Sequence, residues 1–337
     1  MIVISQIPIR IKEWARKQSE KRTLQDWAID IGPFVTLIIL GLFFTIQTDS
    51  FLTEENLVNN LARNSAVLLL VALAGTFPIM QQSIDLSVAA IVTFTGVFAA
   101  VLIANFGVTG IFALLAAVVL GGLVGLINGV IFTKGKIPSF LVTLGMLSIL
   151  EGSAGLITGG ASVPFRAPEL TQLVNGQVIP GIPNIVTITL LIYLGTIFLT
   201  FRTKFGRYTF ALGENESVVD LSGVPVDRYK IYAFVISGIL CGIAGALLTA
   251  RIGTASVQMG QGLLLPSIAA IVMGGTALTG GVGGPHRTIL GVLVIEVIRN
   301  GMNLMGINPF VQTMVVGAVV IVAVALSIDR RKIDIVK

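Results

Sequence analysis

The sequence predicts an all-α polytopic membrane protein: about ten transmembrane helices in two inverted five-helix repeats, with both termini cytoplasmic. The first observation is composition, since 54% of the 337 residues are hydrophobic and 12% are charged. A soluble domain carries about 25% charged residues. The second observation is the length of the apolar runs, because a membrane-spanning helix needs about 20 such residues. The chain is therefore expected to lie in a lipid bilayer.

The apolar runs define the expected spans and a single transmembrane domain over residues 31–328. We expect spans near 31–47, 63–80, 88–106, 110–132, 138–158, 182–201, 230–250, 263–279, 288–305 and 309–327. A basic segment (1–30) would precede this domain and a short tail (329–337) would follow it, both in the cytoplasm. The basic segment is either an interfacial helix or a cytoplasmic tail, and it lacks the pattern of a cleaved signal peptide.

The distribution of positive charge is the third observation. With the N-terminus inside, Arg63, Arg166, Arg251 and Arg299 are the only Lys or Arg residues at or near the outer side. Cytoplasmic loops of membrane proteins carry an excess of Lys and Arg. The net charge of +5 therefore needs no nucleic acid partner, and this asymmetry predicts the orientation.

Several classes of site are excluded. Cys241 and His286 are the only cysteine and histidine, so neither an intramolecular disulfide nor a soft-ligand metal site is expected. The glycine-rich stretch 274–284 lacks the GK[ST] ending of a phosphate-binding loop, and it predicts a tight turn. With no nucleophile–base set and no nucleotide motif, we expect no enzyme activity and no cofactor.

Two short stretches recur and predict the inverted repeat. Residues 87–92 (SVAAIV) are echoed by 267–272 (SIAAIV), and Asn128-Gly129 is echoed by Asn300-Gly301 in the same order. An odd number of spans in each half would turn the second half upside down. Inverted repeats are typical of transporters that handle substrate near the membrane midplane.

Polar residues interrupt the apolar pattern at 80–87, just after Pro78. Gln81, Gln82 and Asp85 would line a translocation path there, and Asn128 and Asn300 are expected to join it. Asp85 and Ser87 could equally cap the following helix, and the two roles can coexist. Glu296 and Arg299 are three residues apart and predict a structural ion pair. The loop 159–181 is either a plain solvated loop or a surface for a periplasmic or extracellular protein.

The longest polar segment between two apolar runs spans residues 201–230, and we interpret 202–229 as a cytoplasmic loop that docks a soluble partner. Its basic edges enclose an acidic piece. The residues expected to bind the partner are Glu214, Asn215, Glu216, Asp220, Ser222 and Gly223.

Five motifs together resemble the permeases of bacterial ribose-type sugar ABC importers, from about residue 33 to the end. Residues 83–88 (SIDLSV) are similar to the GIDLS-V segment of that family, and residues 269–276 (AAIVMGGT) with Gly280-Gly281 are similar to its AAVVLGGTSL–GG signature. The others are 125–129 followed by 140–145, then 206–213 with 221–224, and lastly 300–304.

The resemblance implies partners. Such permeases pair with a second copy or a homologue, bind an ATPase with two nucleotide-binding domains, and receive substrate from a solute-binding protein. It also implies that residues 214–223 form the coupling helix. Here 214–220 (ENESVVD) replace the run usual in the family, which predicts a dedicated ATPase partner, and Ser83 stands where the family usually has glycine.

The leading hypothesis is therefore a permease subunit that imports a monosaccharide or small polyol across the bacterial inner membrane, powered by a separate ATPase subunit. The alternative is an ion-coupled secondary transporter that uses a buried carboxylate, Asp85 or Glu151. A structural or receptor-like membrane protein fits the composition but neither the repeat nor the loop.

Overall fold

The computed structural model describes the backbone of residues 24–327 and the side chains of residues 31–325. Most of the basic N-terminal segment and the whole C-terminal tail therefore lie outside the described residues. The basic segment was expected over residues 1–30, and its last seven residues belong to the helix Leu24–Gln47; for residues 1–23 the expected interfacial helix or tail stays a prediction.

Between residues 24 and 327 the fold is built from α-helices, with one π-helical segment and two strands of two residues each. The helices are α1 (Leu24–Gln47), α2 (Arg63–Met80), α3 (Val88–Phe106), α4 (Gly110–Gly135), α5 (Ser139–Thr158), α6 (Pro168–Asn175), α7 (Asn184–Arg202), α8 (Lys204–Glu214), α9 (Glu216–Leu221), α10 (Val226–Ile252), α11 (Leu264–Met273), α12 (Pro285–Leu304) and α13 (Pro309–Ser327). The π-helix Glu55–Ala62 runs directly into α2, and β1 (Val163–Pro164) pairs antiparallel with β2 (Thr254–Ala255).

Six helices in the described part of the chain are long and apolar enough to cross a membrane. They are the continuous helix Glu55–Met80, together with α3, α4, α5, α7 and α10. Three shorter apolar helices, Ile31–Gln47, Leu264–Met273 and Pro309–Ala325, accompany them. The prediction of an all-α polytopic membrane protein is confirmed.

One expected span is wrong in its extent. The sequence predicted a helix over 263–279, but α11 ends at Met273 after 10 residues. Turns follow it, and Gly275, Gly280 and Gly281 adopt positive φ angles of 89°, 77° and 75°. Only glycine adopts such angles readily, so this backbone leaves the helix. The stretch is the tight turn that its glycines predicted.

The loop expected over 159–181 is also partly ordered into elements. It contains β1 and α6, and α6 packs against α7 and α10. The backbone N–H of Phe165 donates to the carbonyl of Gly253 at 3.3 Å, which ties the segment to the end of α10.

Helices α2 and α10 form the centre of the bundle. Every residue from Ser65 to Met80 is buried, and α10 packs on α2, α3 and α4. Glycines allow the closest of these contacts: a Cβ atom on Gly125 of α4 would overlap the carbonyl of Phe234 on α10. Small residues at helix interfaces let membrane helices approach closely. This packing fixes the positions of the polar groups described next.

Candidate coupling site and polar network

Helices α8 and α9 form a compact polar unit between α7 and α10. Asn215 separates the two helices with an extended backbone, and its Oδ1 accepts the N–H of Val218 at 3.1 Å as the N-cap of α9. The helix ends where Ser222 donates its hydroxyl to the carbonyl of Val218 at 2.8 Å. Gly223 then turns the chain with a φ of 78°. The two ends of α9 are therefore stabilised by hydrogen bonds from the side chains of Asn215 and Ser222.

The outer face of α9 combines exposed apolar and acidic side chains. Leu221 is 89% exposed and Val218 57%, and Glu216 and Asp220 are exposed beside them. Val219 points the other way and packs with Leu212 and Val226. Exposed apolar groups rimmed by polar ones are typical of protein–protein contact sites. All six residues expected to bind a soluble partner are exposed, and their binding role stays a prediction.

One ion pair anchors α9 to α10. Lys230 Nζ lies 2.6 Å from Glu216 Oε2, and the ammonium also lies over the ring of Phe132, 5.1 Å from its centroid. Glu214 is exposed at the end of α8. The surface around α9 is thus connected to the central helix α10 by a charged side chain.

The last turn of α8 touches two non-helical segments, residues 81–87 after α2 and residues 274–284 after α11. Gly213 lies against the carbonyl of Met80 and the N–H of Gly281, and a Cβ atom at this position would overlap both. Gln82 donates its side-chain amide to the carbonyl of Gly213 at 2.8 Å, and the N–H of Gly281 donates to Met80 at 3.1 Å. Three segments distant in sequence thus meet through backbone contacts.

Gln81 joins the same region to α8 and α10. It is 2% exposed, and its Nε2 donates to Thr209 Oγ1 at 2.9 Å and to the carbonyl of Tyr229 at 3.3 Å. A buried amide that lost these partners would be destabilising by about 1–3 kcal/mol. Gln81 therefore connects the non-helical segment 81–87 to α8 and α10 through its side-chain hydrogen bonds.

Asp85 is the centre of a buried network. Its Oδ1 accepts the N–H and the hydroxyl of Ser87 at 3.0 and 2.6 Å, and its Oδ2 accepts the hydroxyl of Ser237 at 2.9 Å. Asn128 donates its Nδ2 to Ser87 Oγ at 2.9 Å, while its Oδ1 has no partner among the described residues. The network connects α3, α4 and α10.

The backbone of the break is bonded to α5. The N–H of Ile84 donates to Ser139 Oγ and that of Leu86 to Thr143 Oγ1, each at 3.0 Å. In the described structure the side chain of Ser87 makes no capping bond to α3; Asp85 instead takes the N–H of Ser87. Of the two residues proposed as caps, only Asp85 accepts a backbone N–H.

Asn300 lies apart from these groups, near the C-terminal end of α12. It exchanges two amide hydrogen bonds of 2.8 Å with Asn56 of the π-helix. The structure therefore brings Gln81, Gln82, Asp85 and Asn128 to one region and Asn300 to another. The role of these residues in a translocation path stays a prediction.

The two acidic side chains singled out within the spans differ in placement. Glu151 is exposed on α5 in the single chain. Glu296 is 3% exposed and lies 3.4 Å from Arg299 Nη1. The expected ion pair is confirmed.

Sequence reasoning missed several partners in this region. Thr209, Ser237, Ser139 and Thr143 all accept or donate hydrogen bonds to the break at 80–87. Each is a small side chain with one hydroxyl group. Their signal in the sequence is weak because Ser and Thr often bond to their own helix backbone instead.

Comparison with known proteins identifies the class. Residues 57–324 match the family described as "Branched-chain amino acid transport system / permease component". The ribose import permease of Escherichia coli K12 is 34% identical over 310 residues, which cover 91% of this chain and 95% of the relative. The Bacillus subtilis 168 ribose import permease is 36% identical over 303 residues, covering 90% of this chain and 93% of the relative.

A third relative is the D-allose transport system permease of Escherichia coli K12, 33% identical over 294 residues, which cover 87% of this chain and 90% of that protein. No solved structure matches the chain. The protein is a membrane-embedded permease subunit of an ABC importer and is not itself the ATPase. It belongs to the family of sugar importer permeases that includes those for ribose and allose.

Proposed function

We propose that this chain carries a monosaccharide or a related small polyol inward across the bacterial inner membrane, driven by an ATPase subunit docked on α8 and α9. The supporting observation is the surface of α9, where Leu221 and Val218 are exposed beside two carboxylates. Adjacent exposed apolar side chains rimmed by polar ones are typical of protein–protein contact sites. The substrates named for the relatives, ribose and allose, set the class of sugar.

The contacts of Gly213 provide the mechanical link. Because its backbone lies against both Met80 and Gly281, a displacement of α8 moves the end of α2 and the turn between α11 and α12 together. Packed interfaces of this kind shift between discrete arrangements. We therefore propose that ATP binding in the partner changes the tilt of α9, and that the Gly213 contact passes this movement to the central helices.

The topology proposed is ten spans in two inverted repeats, with both termini in the cytoplasm. Helix α3 packs on α4 and α5, and α11 packs on α12 and α13 in the corresponding way. The α8–α9 unit then faces the cytoplasm, in agreement with the excess of Lys and Arg on that side. The α6 end faces the periplasm, where a solute-binding protein would deliver the substrate.

A second permease copy or a homologue is proposed to cover α5. Glu151 and Ser148 are exposed on this helix, which is one of the apolar spans. A charge within the bilayer costs at least about 2.5–3.5 kcal/mol unless protein or water surrounds it. A permease partner against α5 would keep Glu151 away from lipid.

The test is sugar uptake by proteoliposomes that contain the permease and its ATPase subunit, with the binding protein outside. Uptake of a tritiated sugar panel should require internal ATP and persist when an uncoupler removes the ion gradient. Leu221→Arg should abolish uptake, whereas Leu221→Met, which keeps an apolar side chain at this 89% exposed position, should leave it intact. Uptake that follows the ion gradient, or survives Leu221→Arg, would refute the proposal.

A further inference from the structure

A non-helical segment, residues 256–263, separates β2 from α11. Its depth follows from the length of α11, because ten helical residues span about 15 Å, or about half of the hydrocarbon core of a bilayer. The C-terminal end of α11 continues into the turn 274–284, where the N–H of Gly281 donates to Met80 at the end of α2. The other end of α11 therefore lies near the middle of the membrane, and the 256–263 segment lies there with it.

The 256–263 segment is bordered by α3, α10 and α12. It follows the end of α10 through β2, which pairs with β1. The N–H of Gly260 donates to Thr93 Oγ1 of α3 at 3.0 Å. A Cβ atom on Gly262 would lie 4.0 Å from Arg299 Nη2 of α12. Helices from both halves of the chain thus meet at this segment.

Two glutamines of the segment are exposed. Gln258 and Gln261 are accessible, whereas Gly260 between them is buried against α3. In the part of the chain that the structure describes, neither side-chain amide forms a hydrogen bond. Non-helical backbone is tolerated at membrane depth only where protein covers it or where it lines a water-filled cavity, since lipid tails offer polar groups no partners. The side of the segment that carries the two glutamines therefore faces away from lipid.

The corresponding glutamine in the first half of the chain is placed differently. The sequence of residues 87–92 recurs at 267–272, so Gln81 corresponds to Gln261. Gln81 is 2% exposed, and its amide is bonded to partners inside the protein. Gln258 and Gln261 instead keep their amide donors and acceptors available to a solute.

We propose that the 256–263 segment lines the path of the sugar through the permease, and that Gln258 and Gln261 bind its hydroxyl groups. This inference rests on the proposed function, to which it adds a binding surface. A side-chain amide offers two donors and one carbonyl acceptor, which match the hydroxyl groups of a neutral sugar. Hydrogen bonds between neutral groups contribute little net free energy each, so the sugar can leave again. Inverted-repeat transporters form their substrate sites from discontinuous helices near the midplane.

The first measurement needs no ATPase and no known substrate. Gln258→Cys and Gln261→Cys are made separately; the native Cys241 is buried. The purified permease in nanodiscs is labelled with a charged, membrane-impermeant thiosulfonate. Both cysteines should react at least about tenfold faster than Leu191→Cys, because a thiol in apolar surroundings forms little reactive thiolate. Leu191 is the matched control, since it is 64% exposed on the apolar span α7.

Two results of the labelling would overturn the proposal. One is reactivity at Gln258→Cys and Gln261→Cys as low as that of Leu191→Cys. The other is a disulfide between two copies of the permease at these positions in place of labelling, which would assign the segment to an interface between permeases.

The second measurement is sugar uptake in the proteoliposomes described above. The double variant Gln258→Leu, Gln261→Leu should lower the initial rate of uptake by about tenfold, because it removes two sets of hydrogen bonds to the sugar. The variant Gln258→Asn, Gln261→Asn keeps both amides and should retain part of the rate. Both variants should melt at the wild-type temperature, since neither glutamine has a side-chain hydrogen bond within the described chain.

Wild-type uptake by the leucine variant, or a loss of uptake that follows a lower melting temperature, would overturn the proposal. Failure of the proposed function is distinguishable from either result. In that case the wild type itself takes up no sugar with ATP, while the labelling still decides whether the 256–263 segment faces water.

Discussion

Gly213 lies against the backbone of Met80 and Gly281. This contact predicts that one added methyl group at Gly213 uncouples ATP hydrolysis from sugar uptake. In Gly213→Ala the new Cβ atom would overlap the carbonyl of Met80 and the N–H of Gly281. Both are backbone groups, so neither can move aside as a flexible side chain would. Overpacking of this kind costs about 1–3 kcal/mol, and displacement of the Gln82 hydrogen bond adds about 1 kcal/mol. The sum corresponds to a change of at least about tenfold in an equilibrium constant.

The assay compares ATP hydrolysis with uptake in proteoliposomes. We expect Gly213→Ala to retain the ATPase subunit, because the exposed surface of α9 is unchanged, and to lose at least about tenfold in sugar moved per ATP. Gly195→Ala is the matched control, since nothing lies within 4 Å of its Cβ position in the described chain. Alanine there should be neutral or stabilising by up to about 1 kcal/mol. Wild-type uptake per ATP by Gly213→Ala would refute the reasoning.

Three further predictions concern other parts of the chain. Asp85→Ala leaves two serine hydroxyls without their acceptor and should lower thermal stability by about 2–3 kcal/mol, read from detergent melting curves; an unchanged melting temperature would contradict the network. The backbone N–H of Gly110, at the start of α4, donates to Glu169 and lowers the pKa of that carboxyl from 4.5. The stabilisation from this hydrogen bond is therefore complete above pH 4.5 and is lost as the pH falls through the lowered pKa. The melting temperature of Glu169→Gln should depend less on acid pH than that of wild type. Ser148→Cys on α5 should form a disulfide between two copies in membranes if the permease pairs with itself, whereas Leu194→Cys on α7, 59% exposed, should not; cross-linking of both alike would contradict the assigned interface.

The sequence predicted the elements whose signals are local. Long apolar runs define spans irrespective of their neighbours. The family resemblance implied a helix within 214–223, and in the structure Asn215 caps its start while Gly223 follows its end with a positive φ. The exposed acidic surface of α9 was predictable because its signal is local too. These features need no knowledge of which helices pack together.

The parts that sequence reasoning missed depend on contacts between distant segments. The extent of α11 depended on how many of its glycines would take positive φ, which the composition does not determine. The part of Gln81 and Asp85 in a translocation path stays a prediction, but the sequence did not reveal their partners, because Thr209 and Ser237 lie 128 and 152 residues away along the chain. Glu151 looked buried because its helix is apolar, but its face of α5 points away from the bundle.

The most direct test of the account is site-specific cross-linking from α9 to the ATPase subunit. Leu221→Cys, coupled to a short cysteine-reactive photoprobe, is compared with Val178→Cys at the opposite end; the single native cysteine is buried. The account predicts an adduct with the ATPase subunit from Leu221→Cys only, with a yield that changes when ATP is added. An adduct from neither position, or equal yields from both, would contradict the claim that α9 is the surface through which ATP hydrolysis drives this permease.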